Sequence, residues 1–417
     1  MAKIQKLQPV RGMRDFLPED QILRNEIFDK IKTVFENYGF SPWEAPAIEY
    51  VEVLQKKSVE EKLVYSFRDR SNRLVVLRPE KTPSLARLIA SYPMAKPAKL
   101  YNVGRVWRYD RPQKGRFREF WQADIDIIGS ISPLADAEVV ATAAAAIKEL
   151  GINFKIRINS RVLMNEFLKD CGVSDINRGK VLRIIDKLDK IGESGVKKEL
   201  LAAKVSEQSV RDILALLKLR GSWSEIKKTI KVCKETEDEI TAFLKYLEKF
   251  GIRNYVFDLS LVRGLDYYTG LVFEFATDDE IGSIAGGGRY DELIGAYTGV
   301  KIPATGLAIG IERIYEILKR KTKLKKTKTK VFVIPIGEID AIPIVQQLRN
   351  AGISTDFDLM GRGISKNLEF ASKQEIPYVI FVGKEELKKK RLKLRNMKSG
   401  REELLSLKEI IEYLHRH

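Results

Sequence analysis

Arg105, Arg108, Arg111, Lys114 and Arg116 fall within one short stretch, RVWRYDRPQKGRFREFWQADIDIIG, spanning Arg105 to Gly129. The planar fork of arginine suits phosphate oxygens, so a cluster this dense implies an anionic ligand. Past the cluster, strand alternation sorts the residues into two faces. Trp121, Ala123, Ile125 and Ile127 form an apolar face suited to packing on helices, while Arg118, Phe120, Gln122, Asp124 and Asp126 share the other. That second face has no core to join by parity and is expected to line a polar cavity. A solvated hairpin with one charged face is the alternative. Three further stretches could do chemistry. In LRPEKTPSLAR, Pro79 and Pro83 bracket Glu80 and Thr82, a binding pair or helix N-capping residues. In SIAGGGRYDELIG, Gly286 to Gly288 would let a ligand approach the backbone, or form a bulge or turn. In GLAIGIERIYEIL, Arg313 stands near a helix start, as a surface cation or a site residue.

The elements that position these residues follow from composition and period. Val103–Tyr109 and Phe117–Ile128 are rich in β-branched and aromatic residues, and Pro112 and Gly115 suit the turn between them. An irregular arm containing RGMRDFLPED precedes a helix that carries Ile22 to Phe35 at helical spacing and closes at Gly39. Pro42 and Pro46 make the next segment extended, with Trp43 exposed. A hairpin is predicted at Tyr65–Pro79, turning at Asp69–Asn72, then a helix over Leu134–Leu150 and a strand over Phe154–Asn159. Residues from about 165 to 250 read as a charged, all-helical insertion with no cluster assignable to chemistry. Strands resume at Tyr255–Val262 and Leu271–Ala276. Beyond KRKTKLKKTKTK at 319–330, strands VFVIPIG, ISTDF, YVIFVG and RLKLRNM alternate with helices near 339–350, 364–375 and 402–415, an α/β pattern with parallel crossovers. The predicted domains are therefore 1–318, interrupted by the insertion, a basic linker at 319–330, and 331–417.

The chain has 417 residues and a formal charge of +17, of which the linker supplies +8 and the last domain +3. A basic balance favours a polyanion such as nucleic acid. Cys171 and Cys233 are too few for a disulfide framework or a zinc site. Both histidines, His415 and His417, lie in the terminal tail, which argues against histidine-based catalysis or metal ligation. No apolar stretch is long enough to span a membrane, and the chain reads as cytoplasmic.

The stretch LVRGLDYYTG at 261–270, taken with LRPEKT, the RYDRPQKGRFREFWQ hairpin, AGGGRYD and GLAIGIERI, resembles the histidyl-tRNA synthetases, a class II aminoacyl-tRNA synthetase family. The resemblance covers nearly the whole chain in order. GFSPWEAP, the hairpin and GLAIGIERI look like the three loose class II motifs, whereas LVRGLDYYTG is specific to the histidine branch. Asp at both 124 and 126 is similar to the archaeal and eukaryotic members. The fold this implies is α+β: an antiparallel sheet flanked by helices, with an inserted helical module and a C-terminal α/β anticodon-binding domain. The activity implied is ATP-dependent ligation of histidine to its tRNA through an adenylate. On that resemblance Arg108 and Arg263 would lie on the α-phosphate of ATP, Arg116 and Arg313 near the β- and γ-phosphates, and Phe120 on adenine, with Mg²⁺ accompanying ATP. Glu80, Thr82 and Gln122 would hold the α-ammonium of histidine, and Asp126 and Tyr268 its imidazole. Arg108, Arg263, Tyr267 and Tyr290 would complete the histidine site. A homodimer is implied, with its interface around Phe40–Tyr50. Two other readings are a non-catalytic regulatory subunit of the histidine-biosynthetic phosphoribosyltransferase and a synthetase-like nucleic-acid binder without activity.

Overall fold

The computed structural model describes residues 7–55, 63–112, 115–262, 267–278 and 282–416. The chain folds into two compact units, Met1–Arg14 with Ile27–Arg320, and Asp15–Glu26 with Lys321–His417.

The first unit is built on a sheet of nine strands among the described residues. Its centre is antiparallel and runs Ala98–Trp107, Glu119–Ile128, Ala304–Gly310, Ser283–Arg289, Leu271–Ala276 and Lys155–Ser160. Ser41–Pro42 joins one edge in parallel; at the other, Tyr255–Asp258 joins in parallel and carries Arg220–Gly221 antiparallel outside it, a short strand within the span read as all-helical. The long hairpin at the centre has one dry face, as alternation requires: Ala123, Ile125 and Ile127 are buried, and Trp121 stacks on Phe28 at 4.7 Å. Phe28 lies on the helix Pro18–Asn37, whose Ile27, Ile31 and Phe35 are also buried. The alanine-rich helix Pro133–Glu149 lies on the same sheet with Ala137, Val140, Ala143 and Ile147 buried. Small side chains let it approach the strands closely. A second, three-stranded sheet pairs Leu74–Leu77 with Ile48–Tyr50 and with Tyr65–Arg68.

Six helices from Arg161–Asp170 to Lys234–Lys249 fill the predicted insertion. One segment departs from the sequence reading. Trp43 is half-buried rather than exposed: its N–H donates to Tyr101 O at 3.0 Å, and its ring packs against the Leu85, Ile89 and Leu100 cluster. Pairing of Ser41–Pro42 with Leu100–Tyr101 turns the segment back over the sheet.

The second unit carries a five-stranded sheet in the order Thr355–Phe357, Val331–Pro335, Tyr378–Val382, Leu392–Asn396, Glu402–Leu405. The first two junctions are parallel and the last two antiparallel. Residues 402–405 are thus a strand, where apolar spacing had read as the start of a helix. The helix begins only at Leu407, after Ser406 Oγ accepts from Glu409 N and the Glu409 carboxylate accepts from Ser406 N. That reciprocal pair is a capping box, a start signal legible in the sequence as S-x-x-E.

Candidate active site

The polar face of the hairpin has a floor made of small residues. Gln122, Asp124 and Asp126 stand opposite Gly310, Ala308 and Gly306 on the neighbouring strand. Directly opposed residues of an antiparallel pair point to the same face, so three bulky polar side chains rise beside three positions with little or no side chain. Asp126 leans across Gly306, where an added Cβ would sit 2.8 Å from its Cγ. A Cβ at Gly288 would meet the Tyr268 ring at 2.9 Å and Leu271 O at 2.6 Å. The glycine run is therefore neither a turn nor a bulge. It is the strand Ser283–Arg289, bared at Gly288 where the Tyr268 ring lies over it.

Above this floor is a cavity of about 1750 Å³. Phe120, Gln122, Asp124 and Asp126 line it from the hairpin, and Arg108 and Arg116 from the turn side. Glu80 and Thr82 enter from the second stretch, Tyr290 from the third and Arg313 from the fourth, while Tyr267 and Tyr268 come from LVRGLDYYTG. Gly286 contributes bare backbone. The structure brings together every described residue that the resemblance implicated. Arg263 and Lys114 lie outside the described residues.

Individual geometries follow from local packing. Arg108 donates its Nε to Pro79 O at 2.8 Å, which fixes the plane of its fork, with its carbon 5.4 Å from the Phe120 ring centre. Arg313, in the first turn of the helix Ile311–Lys321, donates to the Ser283 carbonyl. Tyr290 donates its hydroxyl to Asp126 Oδ1 at 2.5 Å. Burial and that neighbouring carboxylate push the Tyr290 hydroxyl well above its ordinary pKa, so it stays a donor. Tyr267 packs edge-on to Tyr290 at 5.9 Å and lies 4.7 Å from Tyr268. Thr82 is the first residue of the helix Thr82–Ser91, and the N-cap Lys81 makes no side-chain capping bond, so Glu80 and Thr82 do not serve as the cap.

Sequence reasoning missed Lys81. Its side chain is 1% exposed, and its Nζ donates to Asn102 O at 3.0 Å and Gln122 O at 2.9 Å. It also stands 3.5 Å from Asp124 Oδ2. The repulsion between the two same-face carboxylates is thereby relieved separately, Asp124 by a buried cation and Asp126 by a phenol. Lys81 sits inside LRPEKT, and its burial depends on a partner strand that local sequence does not reveal.

Other expectations are corrected. Arg105 does not line the cavity; it reaches Glu119 at 3.3 Å and lies over Trp121. Arg111 does not line it either. Arg118 shares the parity of Phe120 and Gln122 but is tied to the hairpin turn and the N-terminal arm, donating to Asp110 O and Arg11 O respectively. Arg14 of that arm pairs with Glu312 at 2.5 Å and Glu316 at 2.9 Å and stacks on Phe117, which braces the hairpin against the helix that carries Arg313. The insertion, read as free of chemistry, also reaches the cavity through Lys180, Arg183, Lys187 and Lys190.

Comparison with known proteins agrees with this geometry. A family model described as histidyl-tRNA synthetase matches residues 12–314, and an anticodon-binding-domain model matches residues 330–417. The histidine–tRNA ligase of Pyrococcus horikoshii is 40% identical over 424 residues, covering 97% of this chain and 98% of that protein. Among solved structures, a histidyl-tRNA synthetase from Nostoc superposes with a TM-score of 0.86 at 29% identity, covering 99% of this chain and 100% of that one. A Bacillus halodurans structure, titled as an ATP phosphoribosyltransferase regulatory subunit/histidyl-tRNA synthetase, gives 0.78 at 27% identity, covering 91% and 99%. With a catalytic-family match over most of its length and a relative at 40% identity end to end, the chain belongs to the histidyl-tRNA synthetase family.

Proposed function

We propose that this cavity activates histidine with ATP and then charges tRNA with it. In the first step a histidine carboxylate oxygen attacks the α-phosphorus, a P–O bond forms, and pyrophosphate leaves. In the second, a terminal ribose hydroxyl of tRNA attacks the histidyl carbonyl, and AMP leaves. The observation that carries the reading is the convergence, on one cavity, of fixed cations, an aromatic face and a carboxylate–tyrosine pair.

Each residue has a role its chemistry can fill. Phosphoryl transfer needs positioning and charge stabilisation more than covalent help. Arg108, oriented by Pro79 O, would meet the α-phosphate with Arg263, while Arg116 and Arg313 would take the β- and γ-phosphates. Phe120 would carry adenine. Glu80, Thr82 and Gln122 would accept from the α-ammonium, and Asp126 and Tyr268 would hold the two imidazole nitrogens beside Tyr267 and Tyr290. Among the described residues no group of three or more His, Cys, Asp or Glu is placed to hold a metal ion. Mg²⁺ would accompany the triphosphate, held by its phosphate oxygens and water, and would neutralise charge there.

The cavity exceeds the roughly 300–1,000 Å³ of an ordinary small-molecule site, which leaves room for a tRNA end. Lys180, Arg183 and Lys190 would contact its phosphates from the insertion. The last domain, 331–417, would grip the anticodon region beyond a basic linker at 319–330. We also assign a homodimer, because the three-stranded sheet exposes Ile48, Tyr50 and Phe67, and a cytoplasmic location, consistent with the absence among the described residues of any helix long and apolar enough to cross a membrane.

Histidine-dependent exchange of labelled pyrophosphate into ATP tests the reading. A synthetase exchanges; a regulatory subunit or an inactive nucleic-acid binder does not, and absence of exchange would favour those readings.

A further inference from the structure

Two acceptors inside the cavity lack a donor. Neither Asp124 Oδ1 nor Gln122 Oε1 has a hydrogen-bond partner among the described residues, although both atoms are buried. Asp124 as a residue is only 7% exposed and lines the cavity. Native structures rarely bury an acceptor without a donor, and least of all a charged one.

Lys81 neutralises Asp124 without satisfying it. An ammonium has three protons. Two are directed at Asn102 O and Gln122 O, and among the described residues Asp124 Oδ2, at 3.5 Å, lies within reach of the third. The lysine is thus committed to two strands and to the far oxygen. Burial raises the Asp124 carboxyl pKa and lowers that of the Lys81 ammonium, each effect opposed by the other's charge. Asp126 differs, since Tyr290 already donates to it.

Position then selects the ligand group. Gln122, Asp124 and Asp126 follow one another on one face of the strand Glu119–Ile128, about 7 Å apart at each step. A single group that satisfies both Gln122 Oε1 and Asp124 Oδ1 must carry at least two donor hydrogens, and beside Glu80 and Asp124 it is favoured as a cation. An imidazole N–H offers one donor. A primary ammonium offers three.

We infer that Asp124 is a further acceptor for the α-ammonium of the amino-acid substrate, offering it the Oδ1 oxygen while Lys81 lies against Oδ2. This rests on reading the cavity as the histidine site. It gives the site a means of rejecting ligands that present the side chain without the amino group, because such ligands leave a buried carboxylate oxygen unpaired.

Calorimetric titration of the full chain with L-histidine and with 3-(imidazol-4-yl)propionate, its deamino analogue, tests the inference. Asp124→Asn is near-isosteric, and Asp124→Asn with Lys81→Met removes both charges should the single variant fold poorly. Either variant is expected to weaken histidine binding by at least about 10-fold while changing the analogue by less than about 2-fold, as for loss of a charged hydrogen bond. ATP binding should stay within about 2-fold, since no ATP contact is removed. Unchanged histidine affinity, or equal weakening of both ligands, overturns the inference. The histidine reading itself fails differently: the unmodified chain then shows no histidine-dependent pyrophosphate exchange.

Discussion

Asp126 is held from two sides, by the bare backbone at Gly306 beneath it and by the Tyr290 hydroxyl at 2.5 Å. A carboxylate so fixed can orient an imidazole, which makes selection for histidine the most exposed property of the site. Asp126→Ala should raise KM for histidine by at least about 10-fold, the scale of a lost charged hydrogen bond, and leave KM for ATP within a few-fold. Equal rises in both constants would make Asp126 structural. Much of this residue-level pattern was legible in the sequence, because alternation on one strand placed Phe120, Gln122, Asp124 and Asp126 together. Alternation could not say that Arg118, of the same parity, would be drawn off to Asp110 O and Arg11 O. Nor could it show Lys81, which is buried only because the carbonyls of Asn102 and Gln122 converge on it from separate strands.

Among the elements, the insertion has the least obvious purpose, yet it contributes to the cavity lining. The helix Asp175–Ile185 and the segment after it bring Lys180, Arg183 and Lys190 to the cavity wall, and Gly192 breaks the following helix with φ 67° and ψ 175°. Changing Lys180, Arg183 and Lys190 together to Ala should lower tRNA charging by about 10-fold or more near physiological salt, through lost phosphate contacts. Pyrophosphate exchange should be unaffected in the same protein. If both activities fall together, these cations belong to adenylate formation and not to tRNA. Helical periodicity identified the insertion as helices, but which face meets the cavity depends on how those helices pack, and their charge reads equally well as solvation. At the other end of the chain, Glu402–Leu405 alternates exposed and half-buried as an edge strand. Its apolar spacing also fits the first turn of a helix, so only the cap at Ser406 separates the two.

For the whole molecule, the Arg320/Lys321 boundary between the two compact units falls in the gap at 315–329 between the two family models, although Asp15–Glu26, inside the first model, groups with the second unit. The exposed Ile48, Tyr50 and Phe67 belong to one small sheet, and an obligate interface there should bury more than about 2,000 Å². Light scattering at micromolar concentration should therefore give twice the chain mass; an active monomer would contradict the dimer. In the last domain, Lys393 and Arg395 are partly neutralised by Glu402, which leaves Lys388, Lys390 and Arg391 as exposed cations for an anticodon arm. Reversing those three to Glu should raise KM for tRNA and flatten its salt dependence while sparing pyrophosphate exchange. A charging rate equal to the unmodified chain's would remove that surface from tRNA binding. The central claim, that this cavity joins histidine to the α-phosphate with Arg108 as a fixed cation on that phosphate, is tested most directly by rapid-quench measurement of histidyl-adenylate formation in Arg108→Ala. With histidine and ATP binding within several-fold of the unmodified chain, the rate should fall by at least about 10², as when one preorganised donor to a developing charge is lost. A near-unchanged rate in a folded protein would contradict the assignment of the cavity as the site of activation.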